Sequence, residues 1–468
     1  MPDFPKSDGG NSAPGSRERS GHPPVPGATL EVTIDDLGGE GEGVGRADGF
    51  VVFVPGTVPG DRVLARVEHV RRSFARGTLV RILAPSPARR EPPCPHQPAC
   101  GGCPLMVLPE EEALARKVRH LEETLRRIGR VALAAGEVVP SSRPLRYRGR
   151  VRLAVGPPGI PEIGYRPPGD PRGLVPVTDC LLAPEGAVPL ARRFVLELAR
   201  GGGIGPRDWP REIEVRASFA EDRFLLVVHG PRAAGRRLRG VAEGLLLEEE
   251  RLAGVVLVPG GRGRHEPVPL GGETRLAEEI AGLRVPLGPT SFLQVNPAAA
   301  EHLYRLVRER LALPDDPRAP LLDLYCGAGL GGLLGTPEGT PVTGVERSAE
   351  AVTAARALAA RAGREGCRFL DAPVEGAVEG FAAEGVRFPR ALVNPPRAGA
   401  GREVLHGVAS LGPRRVVLVS CHPATLARDA AILREFGYVP RGLAAVDMFP
   451  QTAHLEAVLR FDREEADA

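Results

Sequence analysis

Between Ala28 and Ala84, apolar and polar residues alternate in short runs. These are LEVTIDDL, GFVVFVPG, DRVLARVEHV and GTLVRIL, broken by glycines. Period-two runs at such close spacing predict a small antiparallel β-barrel. At Pro109 the period changes. Leu114, Val118, Leu121, Leu125 and Ile128 recur at helical spacing behind three glutamates that suit a first turn, and Gly129 can end the helix. Residues 140–285 are less regular, with strand-like runs such as EIEVRAS and RFLLVVHG, and predict a β-rich central domain. Beyond residue 290, Asn296 and Pro297 suit the cap and first position of a helix whose apolar face is Leu303, Leu306, Val307 and Leu311. PLLDLYCGAG, PVTGVERS, CRFL, RALVNPPR, RRVVLVSC and HLEAVLRF then read as successive strands, with helical stretches such as AEAVTAARALAARAG between the earlier ones. That alternation predicts an α/β class with a doubly wound, Rossmann-like C-terminal sheet. The expected division is a disordered tail at 1–27, a barrel at 28–86, a central domain at 87–285 and the C-terminal sheet at 286–468.

A chain of 468 residues has the length for two or three domains, and 42% hydrophobic with 25% charged residues is a globular composition. No apolar run approaches a membrane span, and the first 27 residues lack the apolar centre of a signal peptide, so a cytoplasmic protein is expected. Net charge is only +3, so a nucleic-acid site must be a local patch. Lysine occurs only at Lys6 and Lys117, which leaves arginine as the cation. Arg71, Arg72 and Arg76 surround Phe74, an interleaving that suits RNA phosphates and bases, although a solvated hairpin reads the same way.

The seven cysteines are too few for a disulfide scaffold. Cys94, Cys100 and Cys103 are instead clustered, and Cys180 supplies a fourth thiol. Such a set can bind zinc or a [4Fe–4S] cluster, and spacing does not decide between them. The loop DLYCGAGLGG ends a buried strand, where Gly327 and Gly329 allow close backbone approach to a ligand. Glu346 stands about twenty residues on, where a carboxylate can hold ribose hydroxyls. The spacing is not that of a dinucleotide fingerprint. NPPR at 394–397 makes a rigid turn that can present the Asn394 amide to a base or a cofactor.

In VVLVSCHPATLARD, Cys421 ends a strand just before a helix opened by Pro423. The positive helix end is expected to lower its pKa. Glu456 lies inside an apolar strand run, where a carboxylate is costly to bury without a role. A thiol and a carboxylate facing one pyrimidine are what carbon-5 methylation of uracil requires. Cys326 and Cys367 have no such setting and read as packing residues.

The glycine loop, the acidic strand end and N-P-P together resemble S-adenosylmethionine-dependent methyltransferases. More specifically, SFLQVNP, DLYCGAG, GVE, NPPRAG, VSCHPATLARD and QTAHLE resemble, in that order, the signature of the RNA uracil-5-methyltransferases. That family modifies tRNA and 23S rRNA. The barrel resembles its TRAM domain, and CPHQPACGGC its iron–sulfur segment. The resemblance implies that Gln294, Tyr325, Gly327, Gly329, Glu346 and Asn394 line an S-adenosyl-L-methionine site. It makes Cys421 the nucleophile and Glu456 the base. It also favours a [4Fe–4S] cluster over zinc at Cys94, Cys100, Cys103 and Cys180. RNA is the implied partner, 23S rRNA ahead of tRNA, with no membrane or protein partner. Three positions depart from the pattern: Asn394 stands for a usual Asp, Leu330 for a frequent Asn, and His422 for a common Asn. An amino-group methyltransferase built on NPPR, or a non-catalytic RNA-binding factor, are the rival readings.

Overall fold

The computed structural model describes residues 23–201, 205–260 and 266–464. The first twenty-two residues of the expected disordered tail lie outside it. The chain divides into two compact units: the chain up to Arg89 apart from Gly39–Gly41, and those three residues with everything from Arg90 on.

The first unit is a closed five-stranded barrel of β1 (Thr29–Leu37), β2 (Gly43–Ala47), β3 (Phe50–Val54), β4 (Arg62–Val70) and β5 (Phe74–Ala84), in the order β1-β2-β3-β5-β4. The alternation in each run sends Val32, Ile34, Val52, Val54, Val63, Ala65 and Val67 inward. Asp61 closes the barrel. Fully buried, it accepts from the Val58 and Ser86 amides and from Arg89. Burial opposes its charge, yet these donors hold its carboxyl below the ordinary range.

The second unit begins with α1 (Glu110–Thr124), prolonged by a wider turn to Gly129 before Arg130 enters the left-handed region. Leu121 and Leu125 are buried as the spacing predicts, but Ile128 is 50% exposed, because the wider turn rotates it off the apolar face. Next comes β6 (Ala135–Val139). The central sheet comprises β7 (Arg150–Val155), β8 (Ile163–Tyr165), β9 (Val175–Pro176), β10 (Glu212–Ser218), β11 (Arg223–Gly230), β12 (Leu252–Pro259) and β13 (Val268–Gly272), ordered β13-β12-β11-β10-β7-β8-β9. It is not purely β. Helices α2 (Ala187–Arg200) and α3 (Gly235–Glu248) cover one face through Phe194, Leu198, Leu238 and Leu245. The hairpin β14 (Leu276–Ile280) and β15 (Leu283–Leu287) packs Leu276 and Leu287 against Leu225, Val227 and Val256.

The C-terminal part follows the predicted alternation: α4 (Pro297–Leu311), β16 (Leu321–Leu324), α5 (Leu330–Leu334), β17 (Val342–Glu346), α6 (Ala349–Arg361), β18 (Cys367–Asp371), α7 (Val374–Ala383), β19 (Arg390–Val393), α8 (Gly401–Ser410), β20 (Arg415–Ser420), α9 (Pro423–Glu435), β21 (Tyr438–Val446) and β22 (Glu456–Arg463). The sheet order is β18-β17-β16-β19-β20-β22-β21-β6. Strands β16 to β20 are mutually parallel, and β22 is antiparallel between β20 and β21. The expected doubly wound sheet is therefore present. It is extended by β6, from the stretch assigned by sequence to the central domain, which pairs parallel with β21. Asn296 caps α4 as predicted, accepting from the Ala299 amide at 3.3 Å. No helix among the described residues is long and apolar enough to cross a membrane.

Candidate active site

The strand order of this sheet switches direction at β16, with β17 on one side and β19 on the other, and ligands bind beyond the strand ends at such a point. Past Leu324, Tyr325 takes a positive φ of 60°, and Gly327 and Gly329 follow at 54° and 81°. A non-glycine residue in that region is strained, and the loop holds it there. At Gly329 a Cβ would lie 2.9 Å from the Phe369 ring, so the loop can pass only without a side chain.

A cleft at this point is lined by Phe292, Gln294, Asp323, Tyr325, Gly327 and Asn394. Four residues named from sequence thus share one wall. Glu346 joins them by accepting from the Gly327 amide at 3.3 Å, its other oxygen taking the Ser348 amide at 2.9 Å. Gly329 sits behind, as the cap of α5. Sequence reasoning missed Asp323 and Phe292. Asp323 is fully buried and accepts from the Gly332 amide at 2.8 Å. Burial, and Glu346 nearby, push its carboxyl up to about 7. Phe292 is 63% exposed, an aromatic face at the mouth of the cleft.

Beside the cleft, the ladder of β20 and β22 pairs Ser420 with Ala457. Cys421 and Glu456 are the residues that adjoin this last pair, and the Glu456 carboxylate acts on the thiol. The expectation of a low thiol pKa at Cys421 is corrected. Burial and the Glu456 carboxylate raise it, and the Arg397 guanidinium, bonded to the thiol, counters only part of this. The helix end does not dominate because His422 caps α9 instead, its Nδ1 accepting from the Thr425 amide at 3.3 Å. Glu456 is buried, which pushes its carboxyl up to about 8 against the opposing charge of Arg397. Arg397 also reaches His454 Nε2 at 3.0 Å. Burial, and then Arg397 itself, bring that imidazole down to about 4, so neutral His454 accepts the bond. The NPPR turn holding Arg397 is tied to α9, where Asp429 accepts from the Ala400 amide at 2.7 Å. Arg397 and His454 lay inside motifs already noted, NPPR and QTAHLE, and no separate signal marked them. Cys326 is buried and Cys367 half-buried, both raised by burial and removed from this cluster.

Cys94, Cys103 and Cys180 pack around Met106, Tyr147 and Leu182. Burial pushes Cys103 up to about 12 and raises Cys100, with the other thiols adding to the effect. Among the described residues, no group of three or more His, Cys, Asp or Glu stands ready to hold a metal ion. Cys100 and Cys103 nevertheless each feel other thiols of the four, and sulfur donors are the chemistry that suits zinc or iron–sulfur ligation. The segment also braces the site. The Leu105 amide donates to the Gln451 carbonyl at 3.1 Å and Tyr147 Oη to the Pro450 carbonyl at 3.1 Å, just before His454.

In the barrel, Phe74 meets Phe53 edge-on at 5.4 Å, and the Arg76 guanidinium lies over Phe53 at 5.7 Å. Arg71 and Arg72 are exposed at the turn before Phe74.

Residues 25–80 match the TRAM domain model, and residues 377–464 match the model described as tRNA (uracil-5-)-methyltransferase. An uncharacterized RNA methyltransferase of Clostridium acetobutylicum is 31% identical over 448 residues, covering 92% of this chain and 96% of that one. Another, from Thermosynechococcus vestitus, is 34% identical over 456 residues, covering 92% and 97%. Among solved structures, the tRNA (uracil-54, C5)-methyltransferase of Pyrococcus abyssi, in complex with S-adenosyl-L-homocysteine, shares the fold. Its TM-score is 0.72 at 22% identity, covering 92% of this chain and 100% of that one.

Proposed function

Because the chain belongs to the S-adenosylmethionine-dependent RNA (uracil-5-)-methyltransferase family, we propose that it methylates carbon 5 of a uridine through a covalent adduct on Cys421. The observation that carries this reading is the proximity of the Cys421 thiol and the Glu456 carboxylate, which act on one another where the ladder of β20 and β22 ends, next to the cleft of Gln294, Tyr325 and Asn394.

The thiolate of Cys421 adds to carbon 6, and the carbon 5–carbon 6 electron pair moves out as an enolate. Carbon 5 then attacks the sulfonium methyl and displaces S-adenosylhomocysteine. Glu456 takes the carbon-5 proton, and the electrons left behind expel the thiolate. Arg397 favours the thiolate and leaves the buried carboxyl near neutral pH, where a base works best. The uridine must be flipped from any stack to reach this cluster. Gln294, Tyr325, Gly327, Gly329, Glu346 and Asn394 are the proposed S-adenosyl-L-methionine contacts. Asn394 donates and accepts hydrogen bonds without a charge.

Cys94, Cys100, Cys103 and Cys180 would hold the cluster. Bound there, a [4Fe–4S] group would supply a cross-link bracing the Pro450–Gln451 turn. A serine variant at Cys103 tests the set, by loss of iron and of the iron–sulfur absorbance after anaerobic reconstitution. The substrate proposed is 23S rRNA, from the barrel together with the cysteine set, in a cytoplasmic protein. The tRNA reading is favoured by the name of the structurally similar P. abyssi enzyme.

Incubation with S-adenosylmethionine and 5-fluorouridine-substituted cellular RNA tests the mechanism, since fluorine cannot leave as a proton. A protein–RNA band on a denaturing gel, lost in Cys421→Ala, is expected, and sequencing the trapped RNA separates rRNA from tRNA. Absence of the band, with the substrate RNA present and S-adenosylmethionine bound, would overturn the adduct.

A further inference from the structure

A cleft of about 760 Å³ lies at the far end of the central sheet. It opens where β7, β11 and β12 end and β10 begins. Arg152, Arg166, Arg207 and Arg211 stand on its walls among prolines, against one carboxylate, Glu212. This excess of three positive charges equals the net charge of the whole 468-residue chain, +3. Glu214, buried beneath, does not offset it, because it is already bonded to Arg216 and Arg150 at 2.8 Å each. Arg152 pairs with Glu212 at 2.6 Å, while Arg207 and Arg211 are exposed. Trp209 is buried and donates to the Gly156 carbonyl at 2.9 Å, so it forms floor and not a stacking face.

We infer that this cleft is a second RNA-binding site, which grips the phosphate backbone of the substrate strand at a distance from the target base. Guanidinium groups on three separate segments, Arg152, Arg166 and Arg207 with Arg211, offer partners to several phosphates. Among the described residues the lining holds no Asn, Gln, Ser or Thr, so its polar contacts are chiefly guanidinium groups, which suit phosphate oxygens. Its place in the fold sets the span. The Gly149 amide, at the near end of β7, bonds the Val295 carbonyl beside Gln294, and β7 then runs to Val155 in the cleft. At ~3.3 Å per residue this separates the two sites by about 20 Å. The inference rests on RNA being the substrate and not on which RNA it is.

The test is fluorescence anisotropy of a labelled 20-nucleotide oligouridylate with the full chain, over a salt series. Arg207→Ala/Arg211→Ala should flatten the plot of log K against log salt by about 1.4, at ~0.7 per lost phosphate contact on a single strand. Glu212→Gln frees Arg152 and should change binding in the opposite direction, with a steeper slope and tighter affinity. Unchanged S-adenosylmethionine binding in these variants reports an intact fold. A slope unaltered in both cleft variants, but flattened by Arg71→Ala/Arg72→Ala, would overturn the site and leave the barrel as the sole grip. Wild-type protein with no salt-dependent affinity for the oligouridylate would overturn the RNA reading itself.

Discussion

Arg397 bonds His454 at 3.0 Å while also touching the Cys421 thiol, so one guanidinium joins the turn after β19 to the segment that leads into β22 and Glu456. It is the cation set against two acids that burial keeps protonated, Cys421 and Glu456. Arg397→Gln keeps a donor for His454 and removes the charge. Its Cys421 thiol should titrate at higher pH, read as the pH dependence of iodoacetamide labelling. Methyl transfer should fall by about 10²-fold or more. A labelling profile identical to wild type would remove Arg397 from the activation of the thiol.

The second expectation concerns Glu456. As the proposed base it must be ionised, and its carboxyl stands at about 8. Release of methylated RNA from the adduct in a single turnover should therefore rise through neutral pH, falling ~10-fold for each pH unit well below that value, and level off above it. Glu456→Gln cannot take the carbon-5 proton. It should slow turnover by about 10²–10⁴-fold while accumulating a protein–RNA adduct on ordinary, unfluorinated RNA. An adduct-free variant with full activity would assign the proton to another group.

Why the acid–base properties of the site were only partly legible in the sequence follows from these residues. The order of motifs placed the glycine loop, NPPR, Cys421 and Glu456 at strand ends of one sheet, because a period of alternating strands and helices is written locally. The Cys421 thiol was misjudged because its pKa depends on burial and on Glu456, a residue across the sheet. Strand β6 escaped for a similar reason. AGEVV is a weak strand by itself, and its partner β21 lies about three hundred residues downstream. The arginine cleft draws its walls from five separated segments, so no window of sequence contains it.

Asp323 yields a prediction about stability. Its folded carboxyl stands at about 7, above the ~3.9 of an unfolded Asp, so the native state binds the proton more tightly. Between those values stability declines as pH rises, and the full loss is reached above the folded value. Asn at this position does not titrate and can still accept from the Gly332 amide. The Tm of Asp323→Asn relative to wild type should therefore be higher at pH 8 than at pH 5, by ~2–4 °C for each kcal/mol regained. Equal differences at the two pH values would show that Asp323 titrates normally in the fold.

The last prediction tests the brace beneath the site. Lys117 is buried on α1 and donates to Asp447 at 2.8 Å and to the Phe449 carbonyl at 3.0 Å. Burial lowers its pKa, and Asp447 works against that by favouring the charged form. Lys117→Met leaves the Asp447 carboxylate buried without its cation, which costs about 3–5 kcal/mol. It also frees the start of the turn that runs to His454 and Glu456. Lys117→Met/Asp447→Leu removes both charges and should recover most of the stability, since a buried pair is often worth no more than apolar packing. Denaturant unfolding measures the first effect, and methylation by the double variant measures the second. If the pair only supports the fold, activity returns with stability. If it positions Glu456, the stable double variant stays slow, and its pH–rate profile shifts as the carboxylate's surroundings change.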